Sequence, residues 1–408
     1  MKSALKLPVI LGSAAVLAVS ALLLGNPPRG TPPAPPVRPA PVVTAPTGKP
    51  TVPPVITADA KQPVIQIALL LDTSGSMQGL LDQARTQLWN IVNRFSHAKR
   101  NGVAPQLQIA LYAYGNTEQG ANASEIRQVL PFTTDLDLVS EHLFSLQISG
   151  GDEHCGEVIR DATAQLAWSN NPDAMRLIFI AGNEAFTQGP VEFSAAVKSA
   201  RERGITVNTI HCGDYEQGVS GMWKDAAALA DGSYMNIDHN QRVVEIAAPQ
   251  DAEIARLGAE LNKTYVAYGA SGRQNQLRQE QQDRNSLGQS IASMVSRSVA
   301  KSSGNYSNES WDLVDAVKKN QVDVASVRDE DLPEPMRGLD AAGRKAWLEA
   351  REQERAGLQA RIQTLNAERQ QFLTQARKQQ AAPGAATFEG AIGQVVEREA
   401  KKQNLTLE

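Results

Sequence analysis

The feature that most constrains this chain is a nearly unbroken apolar run, Val64-Ile65-Gln66-Ile67-Ala68-Leu69-Leu70-Leu71, that passes straight into Asp72-Thr73-Ser74-Gly75-Ser76-Met77. Eight residues of this kind fit a strand buried on both faces of a parallel sheet. Leu80, Leu81, Ala84, Leu88, Ile91, Val92 and Phe95 then recur at helical spacing, the pattern of a helix laid on that sheet. The hexapeptide is thus a strand-to-helix loop at the carboxyl end of a central strand, where open α/β sheets bind their ligands. Asp72, Ser74 and Ser76 place three oxygen donors at alternate positions. One carboxylate with two neutral hydroxyls suits Mg²⁺ or Mn²⁺, hard cations that take oxygen ligands octahedrally.

Strand and helix patterns continue to alternate through about residue 240. Strands are expected at 107–114, 126–131 (an edge), 176–181, 205–210 and 233–237. Helices are expected at 135–146, 156–168, 191–203 and 222–230. Alternation of this kind specifies a doubly wound α/β fold, a mostly parallel six-stranded sheet with helices on both faces.

Asp-x-Ser-x-Ser on a strand end resembles the von Willebrand factor A (VWA) family, whose metal-ion-dependent adhesion site begins with it. The resemblance covers residues 63–246. It implies a Thr from a second loop and an Asp after the fourth strand as further ligands. Here the second loop is Gly150-Gly151-Asp152-Glu153-His154-Cys155, with Asp152 at the Thr position. The fourth-strand loop is Ala181-Gly182-Asn183-Glu184, with Gly182 where the Asp belongs and Asn183 as the nearest oxygen donor. On this reading Asp152 restores the missing negative charge, so the metal set is Asp72, Ser74, Ser76, Asp152 and Asn183. A second carboxylate weakens the cation's demand for a partner's acid and opens the site to Ca²⁺. Alternatively, Asp152 and Glu153 cap the next helix.

Cys155 and Cys212 are the only cysteines. In an exported chain they are expected to form a disulfide across the carboxyl edge of the sheet; two buried thiols are the alternative. A zinc site with His154 and His211 is disfavoured, since adjacent His and Cys lack zinc-ligand spacing.

Lys2 and Lys6 precede an apolar run from Leu7 to about Gly25, the pattern of an export signal or of a retained anchor in the inner membrane. The basic end would stay cytoplasmic and the bulk of the chain would lie in the periplasm or outside the cell. Residues 26–60 are dense in Pro and read as an extended linker. Beyond residue 251 the composition turns to Gln, Glu, Arg, Lys and Ala. A helix of about 40 residues from Ala341, with Leu358, Ile362, Leu365, Phe372 and Ala376 as its stripe, fits either a short coiled coil or packing on its neighbours.

A net charge of −4 and 5% aromatic residues leave no basic face or stacking platform for nucleic acid. No Gly-x-Ser-x-Gly elbow surrounds Ser74 or Ser76, and no catalytic motif is visible. The sequence therefore reads as a non-enzymatic envelope protein that binds a protein partner through a divalent cation. The alternative is a scaffold with a degenerate site, assembling through its C-terminal helices.

Overall fold

The computed structural model describes residues 62–95, 98–116, 126–238, 245–380, 388–402 and 405–407. The expected signal or anchor and the Pro-rich linker lie outside the described residues. Pro53–Glu408 forms one compact unit. No helix among the described residues is long and apolar enough to cross a membrane.

Six strands build the main sheet: β1 Val64–Asp72, β2 Gln106–Tyr114, β3 Arg127–Thr133, β4 Met175–Gly182, β5 Thr206–Cys212 and β6 Tyr234–Ile237. Their order is β3-β2-β1-β4-β5-β6. Every pairing is parallel except that of β2 with β3, whose irregular register marks the edge. β1 is central and buried along its whole length, as its apolar run requires. The chain moves to β2 on one side of β1 and later to β4 on the other, so a crevice opens at their carboxyl ends.

Strand alternation sorts the core into two layers. Ile65, Ile67, Leu69 and Leu71 face α1 (Gln78–Phe95) and α2 (Leu136–Ser145). Ala68 and Leu70 face the other layer, under α3 (Cys155–Gln165), α4 (Phe193–Glu202) and α6 (Trp223–Leu229); α5 (Tyr215–Ser220) follows β5 directly. By the same parity Asp72 points to the α3 side.

The remaining helices are not an appendage. α7 (Asp251–Asn262), α9 (Ile291–Lys301) and α12 (Phe388–Lys402) contribute Ile254, Leu257, Val295, Val299, Ile392 and Val395 to the same core layer as α1. The helix α11 (Ala341–Gln380) packs the first part of its stripe inside the molecule: Leu358, Ile362 and Leu365 join that layer, while Phe372 is exposed. Arg369, which interrupts the stripe, is buried and bonds Asp251 at 2.6 Å. The structure therefore favours packing on neighbours over the coiled coil. α8 (Gly269–Gln289) and α10 (Leu313–Lys318) complete this region.

α8 is attached through polar groups. Its buried residues are Gly272, Gln279, Gln282, Asp283 and Ser286. Gln282 accepts from Ser140, Ser286 from the Trp89 indole, and Gln279 donates to Tyr306. At the centre, fully buried Arg297 bonds Asp137 of α2 at 2.7 Å and Asp283 at 2.5 Å. Lys301, also fully buried, bonds Asp283 at 2.9 Å.

Candidate functional site

The site forms where the ends of β1 and β4 diverge. Asp72 is completely buried, Ser74 is 5% exposed, and Ser76 lies on the surface. The Ser74 backbone N–H donates to Asp72 Oδ1 at 2.7 Å, which closes the loop tightly after the strand. The two serine hydroxyls lie 3.5 Å apart, and Ser76 Oγ donates to Asn183 Oδ1 at 3.2 Å. Asp72, Ser74, Ser76 and Asn183 are thus brought together.

Asp152 is exposed to solvent. Its neighbour Glu153 is 3% exposed and faces Asp72. Glu153 is fixed at both ends: its N–H donates to Gln188 Oε1 at 3.1 Å, and its Oε2 accepts from the Glu184 N–H at 3.2 Å. Neither acid caps α3, whose N-cap is His154 and carries no side-chain cap bond. Gly151 shapes this turn. A Cβ on Gly151 would sit 2.8 Å from the Gly115 backbone, so only a bare backbone lets the loop lie flat enough to turn Glu153 inward.

Burial first, and then the charge of Glu153, push the Asp72 carboxyl well above the usual carboxylate range. Asp72 Oδ2 is buried and receives no hydrogen bond. Buried carboxylate oxygens are normally satisfied, and two carboxylates side by side call for a cation or a shared proton.

Two glycines keep the space around Asp72 open. Gly115 has φ +74°, and a Cβ there would come within 2.8 Å of Asp72 Oδ1 and 3.2 Å of Glu153 Cγ. A Cβ on Gly182 would press on the Tyr114 hydroxyl and come within 3.1 Å of Asp72 Oδ2. Tyr114 OH is buried there and donates to Ala181 O at 2.9 Å. The aspartate implied by the resemblance has no room at position 182.

The expected disulfide is not formed: Cys155 and Cys212 are both buried free thiols. Cys155 begins α3 in one core layer, whereas Cys212 shares the opposite layer with Ile210. The sheet lies between them. Alternation along β5 turns His211, not Cys212, toward the Cys155 side, where its Nε2 lies 3.1 Å from Asn183 O. Burial raises the pKa of both thiols.

Among the described residues no group of three or more His, Cys, Asp or Glu side chains could hold a metal ion. The oxygen set here rests instead on two acids with hydroxyl and amide donors. It fits a hard divalent cation on two observations: the unserved Oδ2 of Asp72, and glycines that hold its surroundings clear.

The family profile for the von Willebrand factor type A domain matches residues 66–236. Residues 66–236 are a VWA domain. No curated protein matches the chain. Among solved structures, BatB from Bacteroides thetaiotaomicron is similar at 20% identity, over 43% of this chain and 90% of that one, with a TM-score of 0.33. Proximal thread matrix protein 1 from the mussel byssus, with a zinc-occupied MIDAS motif, is similar at 12% identity over 44% and 42% of the two chains, with a TM-score of 0.33. The pilus adhesin SpaC from Lactobacillus rhamnosus GG is similar at 14% identity over 43% and 28%, with a TM-score of 0.33. The latter two alignments span less than half of those proteins. VWA domains are generally adhesion and interaction modules, and no catalytic family is indicated for the matched segment.

Proposed function

We propose that this chain is an exported, membrane-anchored protein whose VWA domain binds a protein partner at the carboxyl rim of its sheet, through a divalent cation. Asp72, Ser74 and Ser76 hold the ion from the β1 loop, and Asn183 closes the set from the β4 loop. Glu153 supplies the second carboxylate, in the role that the sequence alone gave to Asp152. Mg²⁺ or Mn²⁺ suits the compact set; Ca²⁺ is favoured where a second carboxylate binds directly. The bound ion supplies positive charge to the rim. The chain's own residues orient the ion and keep it at the surface, next to exposed Ser76.

The observation that carries this reading is Asp72 Oδ2, buried without a donor beside another carboxylate. Basic residues before the apolar run at 7–25 support export. The helices beyond 251 act as a buttress for the domain.

A ligand that binds only the folded state raises its stability by RT ln(1 + [L]/Kd), about 2.7 kcal/mol at a hundred-fold excess over Kd. Thermal melts with Mg²⁺, Mn²⁺ and Ca²⁺ against chelator should therefore show a cation-dependent rise that Asp72→Ala removes while leaving the fold intact. A parent protein indifferent to all three ions would mean that Asp72 and Glu153 share a proton, and that the chain is a scaffold with a closed site.

A further inference from the structure

Among the buried charges of the helical region, Lys301 meets two different kinds of partner. Its Nζ donates to Asn262 Oδ1 of α7 at 2.5 Å, and to Asp283 of α8 at 2.9 Å (Oδ2) and 3.1 Å (Oδ1). Asn262 Nδ2 in turn donates to the same Asp283 Oδ2 at 2.6 Å. An ion pair needs only the lysine and the acid. Here one oxygen of the acid touches both the amine and the amide nitrogen, while the amide carbonyl accepts from the amine. The acyl carbon of Asn262 lies one bond beyond the oxygen that Lys301 touches. An amine, an acyl carbon, a leaving nitrogen and a proton carrier are thus assembled from three helices.

Lys301 is completely buried. Burial lowers its pKa, which brings the nucleophilic neutral amine closer to hand. For Asp283 burial works toward a higher pKa, yet Lys301 and Arg297 hold the carboxyl below the usual range. It stands ionised beside the amine, in the role of a base and within reach of the proton it would take. Arg297 bonds its Oδ1 at 2.5 Å, which leaves Oδ2 to carry a proton between the two nitrogens. Asn262, the last residue of α7, is half-buried, so a small leaving group has a way out.

We propose that Lys301 and Asn262 join through an isopeptide bond, with Asp283 as the catalytic residue. Asp283 Oδ2 takes a proton from the Lys301 ammonium. The freed Nζ lone pair attacks Asn262 Cγ, and the carbonyl π pair moves onto Oδ1. Oδ2 then gives its proton to Nδ2 and takes one from Nζ. The carbonyl re-forms, the Cγ–Nδ2 bond breaks and ammonia leaves. One C–N bond has formed and one has broken, with no oxidant or reductant. The proton that Lys301 gave up ends on Asp283, so Arg297 still balances Asp137 and the cluster stays neutral. Cys155 and Cys212 do not pair; this amide ties the chain instead, fastening α7 to α9 across α8. The proposal does not depend on the cation site.

The test is mass spectrometry of the full chain, denatured and reduced after overnight incubation at physiological temperature. Its mass should fall below that of its sequence by about 17 Da, one ammonia. Trypsin should release a branched peptide joining residues 257–263 to 298–318, because an acylated Lys301 is no longer cut. Lys301→Arg keeps a cation beside Asp283 but offers no amine nucleophile. It should retain its full sequence mass and give the linear 257–263 peptide. Asp283→Asn, verified as folded by near-ultraviolet circular dichroism, should form the branched peptide about a hundred-fold more slowly, the contribution of a general base. A parent that keeps its sequence mass and yields only linear peptides would overturn the proposal, and this measurement needs no variant to fold. Ammonia loss confined to an unbranched 257–263 peptide, the mark of Asn262 closing on its own backbone, would overturn it too. So would a branched peptide that folded Asp283→Asn forms as fast as the parent.

Discussion

Replacing Arg297 by Met removes one charge from a buried cluster while keeping most of the side-chain volume. In the parent, Arg297 and Lys301 balance Asp137 and Asp283 with every one of the four side chains buried or nearly so. The guanidinium also lies 4.5 Å from the Trp89 ring centroid and donates to Gln279 O at 3.0 Å. Removing one partner of a buried ion pair costs about 3–5 kcal/mol, because the other charge stays behind. Here Tyr306 OH still serves Asp137 at 2.6 Å, and Lys301 still serves Asp283. That places the expected loss near the lower end, about 3 kcal/mol. With a urea m-value on the order of 3 kcal/mol per molar, the unfolding midpoint, followed by tryptophan fluorescence, should fall by about 1 M. Asp137→Asn added to Arg297→Met restores charge balance around Lys301 and Asp283. The double variant should therefore be less destabilised than the sum of the singles, with a coupling of about 1 kcal/mol or more. Simple additivity, or a midpoint shift by Arg297→Met of only a tenth of the expected size, would refute the claim that charge joins α8 and α9 to the sheet's helices.

Two further outcomes follow from the same electrostatics. Glu153→Gln relieves the repulsion on Asp72, so the cation-free melt should rise, by on the order of 1 kcal/mol, while the increment gained from divalent ions shrinks. A variant that melts lower in chelator and keeps its full cation response would show that Glu153 is not part of the site. Asp315 of α10 has its pKa pushed up to about 6, by burial first and by Asp312 next, against the pull of Arg355. An acid raised in the folded state holds its proton there when the unfolded chain has lost it. Its contribution is therefore fully present below the unfolded value near 3.8 and is lost as pH rises through about 6. Asp315→Asn should flatten this part of the stability–pH curve in urea titrations between pH 4 and 7; an unchanged slope would exclude Asp315 as its source.

The α/β half of the molecule was legible because its elements obey periodic rules. The β1 run, its parity and the spacing of Leu80 to Phe95 specify a central strand under a helix, and the sheet follows from repetition of that unit. The C-terminal half was less legible because its attachment is polar. α8 buries Gln279, Gln282 and Asp283, residues that a hydrophobic pattern assigns to solvent. Arg297 and Lys301 likewise read as surface charges until Asp137 and Asp283 are placed opposite them. The cysteine error had a signal in the sequence: Ile210 and Cys212 share a parity, and so share a layer. Using it required knowing which layer α3 covers, a question of topology and not of spacing.

Loop positions have no such period, and the choice between Asp152 and Glu153 shows what decides them. Two adjacent acids in an extended loop cannot both face inward. Gly151 lies against the Gly115 backbone, and Gln188 holds the Glu153 N–H; together they turn the longer side chain toward Asp72. That length lets Glu153, on the loop before α3, lie beside Asp72 and accept from the Glu184 N–H. The Tyr114 hydroxyl occupies the space next to Gly182, so an acid there would have to displace a buried hydrogen bond to Ala181. Gly182, the Tyr114 hydroxyl and Glu153 therefore fit together around Asp72, and the carboxylate beside it comes from the loop before α3.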